Sequence, residues 1–204
     1  MTPPKAKQAK KLDRETIVEA AISLVERDGL EALSMRRVAK QLGSAPMSLY
    51  RHVRNRDDLL TAMLDTAAAR IDTPATCDDP REEVVAVVMA LHRTLRAEPW
   101  LVQLLLFEGQ FSERIFPLIE RVFAALKTLL GDTREVVEVY AILQHYLYGE
   151  CLSYQTRAKR MAFQNAIPRD TWAAFPVTAD VFASTRDHAF DEFERNVRRV
   201  LAAV

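Results

Sequence analysis

The chain has 204 residues, 49% hydrophobic and 27% charged, which supplies a sizeable core and excludes a disordered chain. Its 28 basic and 28 acidic residues cancel overall, yet residues 1–56 carry 12 against 6, a net +6, and residues 57–204 carry 16 against 22. That asymmetry suits a polyanion at the front, whereas no uncharged stretch reaches the roughly 18 residues of a membrane span and no apolar core follows the basic start.

A cytoplasmic protein without membrane attachment is therefore expected. Cys77 and Cys151 lie far apart with no metal-ligand spacing around them, so neither a metal nor a cofactor is expected. Four of the front charges (Lys5, Lys7, Lys10 and Lys11) sit in a polar tail over residues 1–12, to which no element is assigned.

Residues 13–28 read as a helix, with Ile17, Ala21, Leu24 and Val25 on one face and Gly29 ending it. Ser34 stands at an N-cap ahead of Met35, Val38, Ala39 and Leu42, which predicts a second short helix to about Gln41. Gly43 and Ser44 turn the chain. Pro46 fits only a first turn, and Ser44 is placed to cap it, so a third short helix covers about 45–51.

A longer helix starts at Asn55, with Asp57 and Asp58 in its first turn, and runs to about Arg70. Thr73-Pro74 and Asp79-Pro80 then bracket a loop. Further helices are expected over 81–96, 99–107, 112–130, 132–159 and 178–202, broken at Glu98-Pro99, Gly109, Gly131 and between Pro168 and Pro176. Asp132, with Glu135 three residues on, resembles a capping box. The count is about nine helices, an all-α chain.

Two short helices joined by Leu42-Gly43-Ser44 have the proportions of a helix-turn-helix. Leu33, Val38, Leu42, Leu49 and Val53 are positioned to bury against Ile17 and Leu24, leaving Arg36, Arg37, Pro46, Met47, Tyr50 and Arg51 outside. In such a unit the second helix enters the major groove, and its N-terminal residues, here Ala45, Pro46 and Met47, meet base edges.

Over residues 13–64 the chain resembles the tetracycline-repressor-like (TetR) family of transcription factors. The match rests on Leu42-Gly43, Leu49-Tyr50-Arg51-His52-Val53, Asn55-Arg56 and Leu59-Leu60, with 29–39 fitting upstream. The resemblance implies a DNA-binding domain over 13–56 and a helical effector-binding and dimerisation domain over 57–204. It assigns phosphate contacts to Ser34, Arg37, Ser48, Tyr50 and Arg56, with His52 close behind, and a base-reading position to Arg36. Arg51 stands where an aromatic is common and reaches either phosphate or a guanine edge. Pro46 departs from the polar base reader of some members. Base reading then shifts to Arg36, Arg51 or apolar contact with thymine methyls.

In the body, polar residues on apolar faces are the clue, because burying them requires a partner. His92 flanks the Val84, Val88, Leu91 and Leu95 stripe, and Tyr140, Gln144, Tyr148 and Cys151 follow three-to-four spacing. With the family's effector cavity in view, His92, Phe107, Phe111, Phe116, Tyr140, Gln144 and Tyr148 are the candidate effector contacts, against the plainer reading of aromatics as core. Glu108 or Glu150 would meet a cationic ligand group.

Phe190, Phe193, Val197, Val200 and Val204 recur at 3, 4, 3, 4, a helix-packing seam. Gly149 sits mid-helix and suggests close helix approach. These residues are assigned to a homodimer interface. The expected partners are thus a double-stranded DNA operator, a small apolar or amphipathic effector and a second copy of the chain. The competing class is an all-helical enzyme with an incidental helix-turn-helix, and no nucleophile grouping, phosphate loop or metal spacing supports it.

Overall fold

The computed structural model describes residues 12–187 and 192–204, and every regular element among them is helical. The α-helices are α1 (Arg14–Asp28), α2 (Met35–Gln41), α3 (Pro46–Leu49), α4 (Arg56–Ala69), α5 (Pro80–Ala97), α6 (Trp100–Phe107), α7 (Phe116–Leu130), α8 (Thr133–Ala166), α9 (Arg169–Ala174), α10 (Pro176–Asp187) and α11 (Phe193–Ala202). They form two compact units, the first holding α1–α4 and α6 and the second α5 and α7–α11.

In the first unit, α1 starts at Asp13, whose carboxylate accepts a hydrogen bond from the Thr16 amide at 2.9 Å. One face of α1, with Ile17, Ala21, Leu24 and Val25, is buried with Val38, Leu49, Val53, Leu59, Leu60 and Met63. Full burial of each large apolar side chain contributes about 1.5–3 kcal/mol. Leu42 is only half-buried. It is the residue before the turn, where the Ser44 amide bonds back to the Ala39 carbonyl at 2.9 Å and the Gly43 amide to Lys40 at 3.2 Å. That pair of bonds is a Schellman stop, and it needs the left-handed φ of +62° that Gly43 adopts. The α2–α3 angle is fixed there.

Ser44 does not cap α3, contrary to expectation. Ala45 takes the N-cap without a side-chain bond, and Pro46 at the first helical position supplies the pre-set φ.

In the second unit, α5, α7, α8 and α11 bury Val84, Val87, Val88, Leu118, Val122, Leu126, Leu143, Leu147, Phe193, Val197 and Leu201. Asp132 caps α8 through the amides of Arg134 and Glu135, as its spacing predicts. Three boundaries differ from expectation. α7 begins at Phe116 and not at 112, because Pro117 is tolerated only in a first turn. α8 continues to Ala166, since nothing before Pro168 breaks it. The helix expected over 178–202 is instead α10 and α11, and α9 occupies the interval left empty between Pro168 and Pro176. Phe190 lies outside the described residues. No helix of the described residues is long and apolar enough to cross a membrane.

Candidate nucleic-acid interface and effector site

The candidate interface is carried by α2, α3 and the start of α4. Ser34 Oγ caps α2 by accepting from the Arg37 amide at 3.3 Å, which leaves the hydroxyl proton to donate outward. Ala45, Pro46, Met47, Tyr50 and Arg51 are exposed, Met47 at 74%, while Ser48 and His52 are half-buried. An apolar knob on the leading turn of α3, flanked by a phenol and a guanidinium, suits a groove that displays thymine methyls and guanine acceptors.

The cations divide into two classes. Arg36 and Arg51 are exposed and have no ion pair or hydrogen bond to the described residues. Arg37 and Arg56 are already engaged. The Arg37 guanidinium pairs with Asp28 and donates to the Ala32 carbonyl at 3.3 Å. Arg56 forms a two-pronged pair with Glu108 at 2.9 and 3.0 Å, and the guanidinium holds the Glu108 carboxyl below its usual range.

That pair begins a series. The Thr61 hydroxyl lies 3.2 Å from Gln110 Oε1, and Ser112 Oγ donates to Asp65 at 2.6 Å. Positions 56, 61 and 65 along α4 are therefore stitched to alternate residues 108, 110 and 112 of the strap after α6. At its start α4 is held by Asn55, which caps the Asp58 amide at 2.8 Å, and by Asp58, which takes both prongs of Arg14 at 2.9 and 3.0 Å. The Arg14 hydrogen bonds, reinforced by the Arg54 amide, hold the Asp58 carboxyl well below the usual carboxylate range. Placed in the first turn, Asp57 and Asp58 read as helix-dipole residues; the Arg14 clamp, whose partners stand 44 positions apart, leaves no local signal.

The candidate effector residues do not gather at one place. Phe107 and Phe111 belong to the first unit and are exposed. In the second unit, Tyr140, Gln144 and Tyr148 share a face of α8, with Gln144 Nε2 3.5 Å from the Tyr148 hydroxyl and Tyr140 against Phe123 at 4.7 Å. Burial pushes both tyrosine hydroxyls up in pKa. Phe116 opens α7 and is exposed.

His92 is turned elsewhere. It meets Glu150 Oε2 at 2.6 Å and stacks on Phe193 at 4.0 Å. Glu108 and Glu150, expected to meet a cationic ligand group, are thus both paired within the chain. Cys151 joins His92 and Glu150, a grouping that sequence spacing did not reveal.

Of the dimer residues, Phe193 and Val197 need correction. They are 2% and 0% exposed and form core with α5 and α8, so they are not on a subunit surface. A 3, 4 repeat marks helix packing without saying whether the partner helix is in the same chain. Val200 is half-buried and Val204 exposed. Gly149 is exposed, and a Cβ added there would meet open space.

Comparison with known proteins matches two successive stretches of the chain to one family. The profile described as bacterial regulatory proteins of the tetR family covers residues 17–63, and that of the tetracyclin repressor-like C-terminal domain covers residues 73–204. The transcriptional repressor DrrR1 of Streptomyces coeruleorubidus is 30% identical over 93% of this chain and 75% of its own length. Apo ActR of Streptomyces coelicolor superposes with a TM-score of 0.77 at 24% identity, covering 97% of this chain and 96% of that one. BioQ, solved on its double-stranded DNA operator, superposes at 0.62 with 26% identity, over 76% of this chain and 95% of its own. With both profiles matched in order along one chain, the protein belongs to the TetR family and is a DNA-binding transcriptional regulator.

Proposed function

We propose that the protein is a repressor that binds a pseudo-palindromic operator as a homodimer and leaves it when an apolar or amphipathic small molecule binds its second unit. The observation that carries the DNA half is the exposed set on α2, α3 and the turn after it, in which Arg36 and Arg51 have no partner among the described residues while the Ser34 hydroxyl accepts at its cap and keeps its proton to donate. Arg36, Arg51 and Met47 read bases. Ser34, Ser48, Tyr50 and His52 contact phosphate, as do Arg37 and Arg56 once they exchange carboxylate for it. BioQ, which shares the fold, was solved on its operator.

The dimer surface in this reading lies on α8 and α10. Ile142 and Gly149, seven residues apart on one face of α8, are exposed, as are Phe163 on α8 and Val177 and Val181 on α10. Apolar side chains left outside on two long helices are what a helical dimer interface requires.

The effector half rests on Tyr140, Gln144 and Tyr148, three side chains that are apolar along their length and polar at the tip. ActR has been solved with actinorhodin and with (S)-DNPA. The strap supplies the coupling. Residues 108–112 are tied to α4 and continue along the chain into α7 of the second unit, so a ligand that shifts α7 pulls on the strap. Release also requires that the ligand bind the two conformations unequally.

The experiment is retardation of the protein's own upstream DNA, with mass determination by light scattering. A dimer that retards that DNA and spares random DNA supports the reading. A monomer that still binds tightly contradicts it.

A further inference from the structure

We propose that His92, Glu150 and Cys151 form a binding site for a divalent transition-metal ion, with Zn²⁺ the best match to the donors. His92 comes from α5, and Glu150 and Cys151 are neighbours on α8. Their nitrogen, oxygen and sulfur atoms all lie within 4.8 Å of one another, and the three residues are 6%, 7% and 2% exposed. Imidazole, carboxylate and thiol together are the donor set of zinc, whereas Mg²⁺ and Ca²⁺ select oxygen. The site goes beyond the repressor reading and does not depend on it.

The surroundings hold these donors in place. His92 is stacked between its hydrogen bond to Glu150 Oε2 and the Phe193 ring at 4.0 Å, and Phe193 is itself backed by Tyr146 at 5.0 Å. The other carboxylate oxygen, Oε1, is buried and accepts no hydrogen bond. Arg96 stands 3.8 Å from it and stacks on the Tyr154 ring at 3.7 Å. The carboxylate is thus approached from two sides, and an ion taking Oε2 leaves Arg96 on Oε1.

Tetrahedral zinc with bonds of about 2.0–2.3 Å sets its donors about 3.3–3.8 Å apart. The His92–Glu150 contact of 2.6 Å therefore opens by about 1 Å and the sulfur, within 4.8 Å of the other donors, closes by at most about 1.5 Å, both within the reach of side-chain rotation. A cysteine binds a metal ion as its thiolate. Binding then forms a metal–sulfur bond and releases the thiol proton to solvent. Thiolate and carboxylate together cancel the charge of the ion, and the fourth position is left for water or a ligand oxygen.

The test uses the full chain, reduced and stripped with a chelator, titrated with Co²⁺ as a spectroscopic probe and then with Zn²⁺. The expected result is one equivalent of Co²⁺ with a thiolate-to-cobalt charge-transfer band, release of the thiol proton, and displacement by Zn²⁺. Cys77→Ser, at an exposed position, keeps the band. Cys151→Ser loses it, and His92→Asn weakens binding by at least about 100-fold, the upper end of what loss of a mere supporting residue costs. The wild-type and Cys77→Ser titrations decide the matter even if the core variants fail to fold. No band under excess Co²⁺, or a band abolished by Cys77→Ser, overturns the proposal.

Discussion

Arg36 and Arg51 in the first unit are exposed and without partners among the described residues, while His92 and Glu150 in the second are buried together beneath Phe193. An exposed cation is already solvated, so trading water for phosphate or guanine costs little and reads out as binding. A buried polar group has only its neighbours, so disturbing it reads out as lost stability. In the metal-free chain, the first unit presents cations for exchange and the second holds His92 and Glu150 as a pair.

The sharpest way to break the comparison is Phe193→Ala. Its ring stacks on both His92 and Tyr146, and its removal should lower unfolding stability by about 3–5 kcal/mol in urea denaturation. A loss under about 1 kcal/mol would place Phe193 on a surface and restore it to the dimer seam. Arg51→Ala should do the reverse, leaving stability nearly unchanged while removing about 1–3 kcal/mol of discrimination at one base pair, measured by competition among operator variants.

Asp58 lies between these extremes, because its carboxylate is little exposed yet clamped by Arg14 at the surface. With its folded-state pKa depressed, it contributes stability above the unfolded value of about 3.9, and that contribution is lost as pH falls towards the folded value. Asp58→Asn should therefore cost about 1–2 kcal/mol at pH 7. It should also flatten the acid limb of the stability curve below about pH 4. An unchanged acid limb would mean the clamp contributes nothing.

The smallest effect concerns Arg56. If Glu108 competes with phosphate for this guanidinium, Glu108→Gln should tighten binding to specific and random DNA alike by a few-fold. Arg56→Ala should weaken both and flatten the salt dependence by about one unit of slope. Weaker DNA binding in Glu108→Gln would instead make the pair a brace for α4.

The two units were not equally legible in sequence. In the first, local rules decide most of the structure: Ser34 announces its cap, Gly43 its turn, and the Leu49-to-Val53 element its family. The partners across long separations, Arg14 with Asp58 and Arg56 with Glu108 among them, were hidden, and Ser44 was expected to cap α3 where Ala45 and Pro46 open it. In the second, periodicity found the apolar stripes but could not choose their partners. The Phe193 and Val197 repeat was read as facing another subunit when α5 and α8 cover it. Glu150 was visible three residues after Leu147 on the buried face, yet spacing on α8 alone says nothing of a histidine 58 positions earlier.

The central claim is that the exposed set on α2 and α3 reads DNA sequence, and selection from a random duplex pool with the full chain tests it most directly. The account predicts enrichment of a single pseudo-palindromic site, bound with an affinity that falls steeply with salt and more tightly than unselected duplex. The same selection with Arg51→Ala should relax one position in each half-site. A pool that emerges unenriched, with equal affinity for selected and starting DNA, would contradict it.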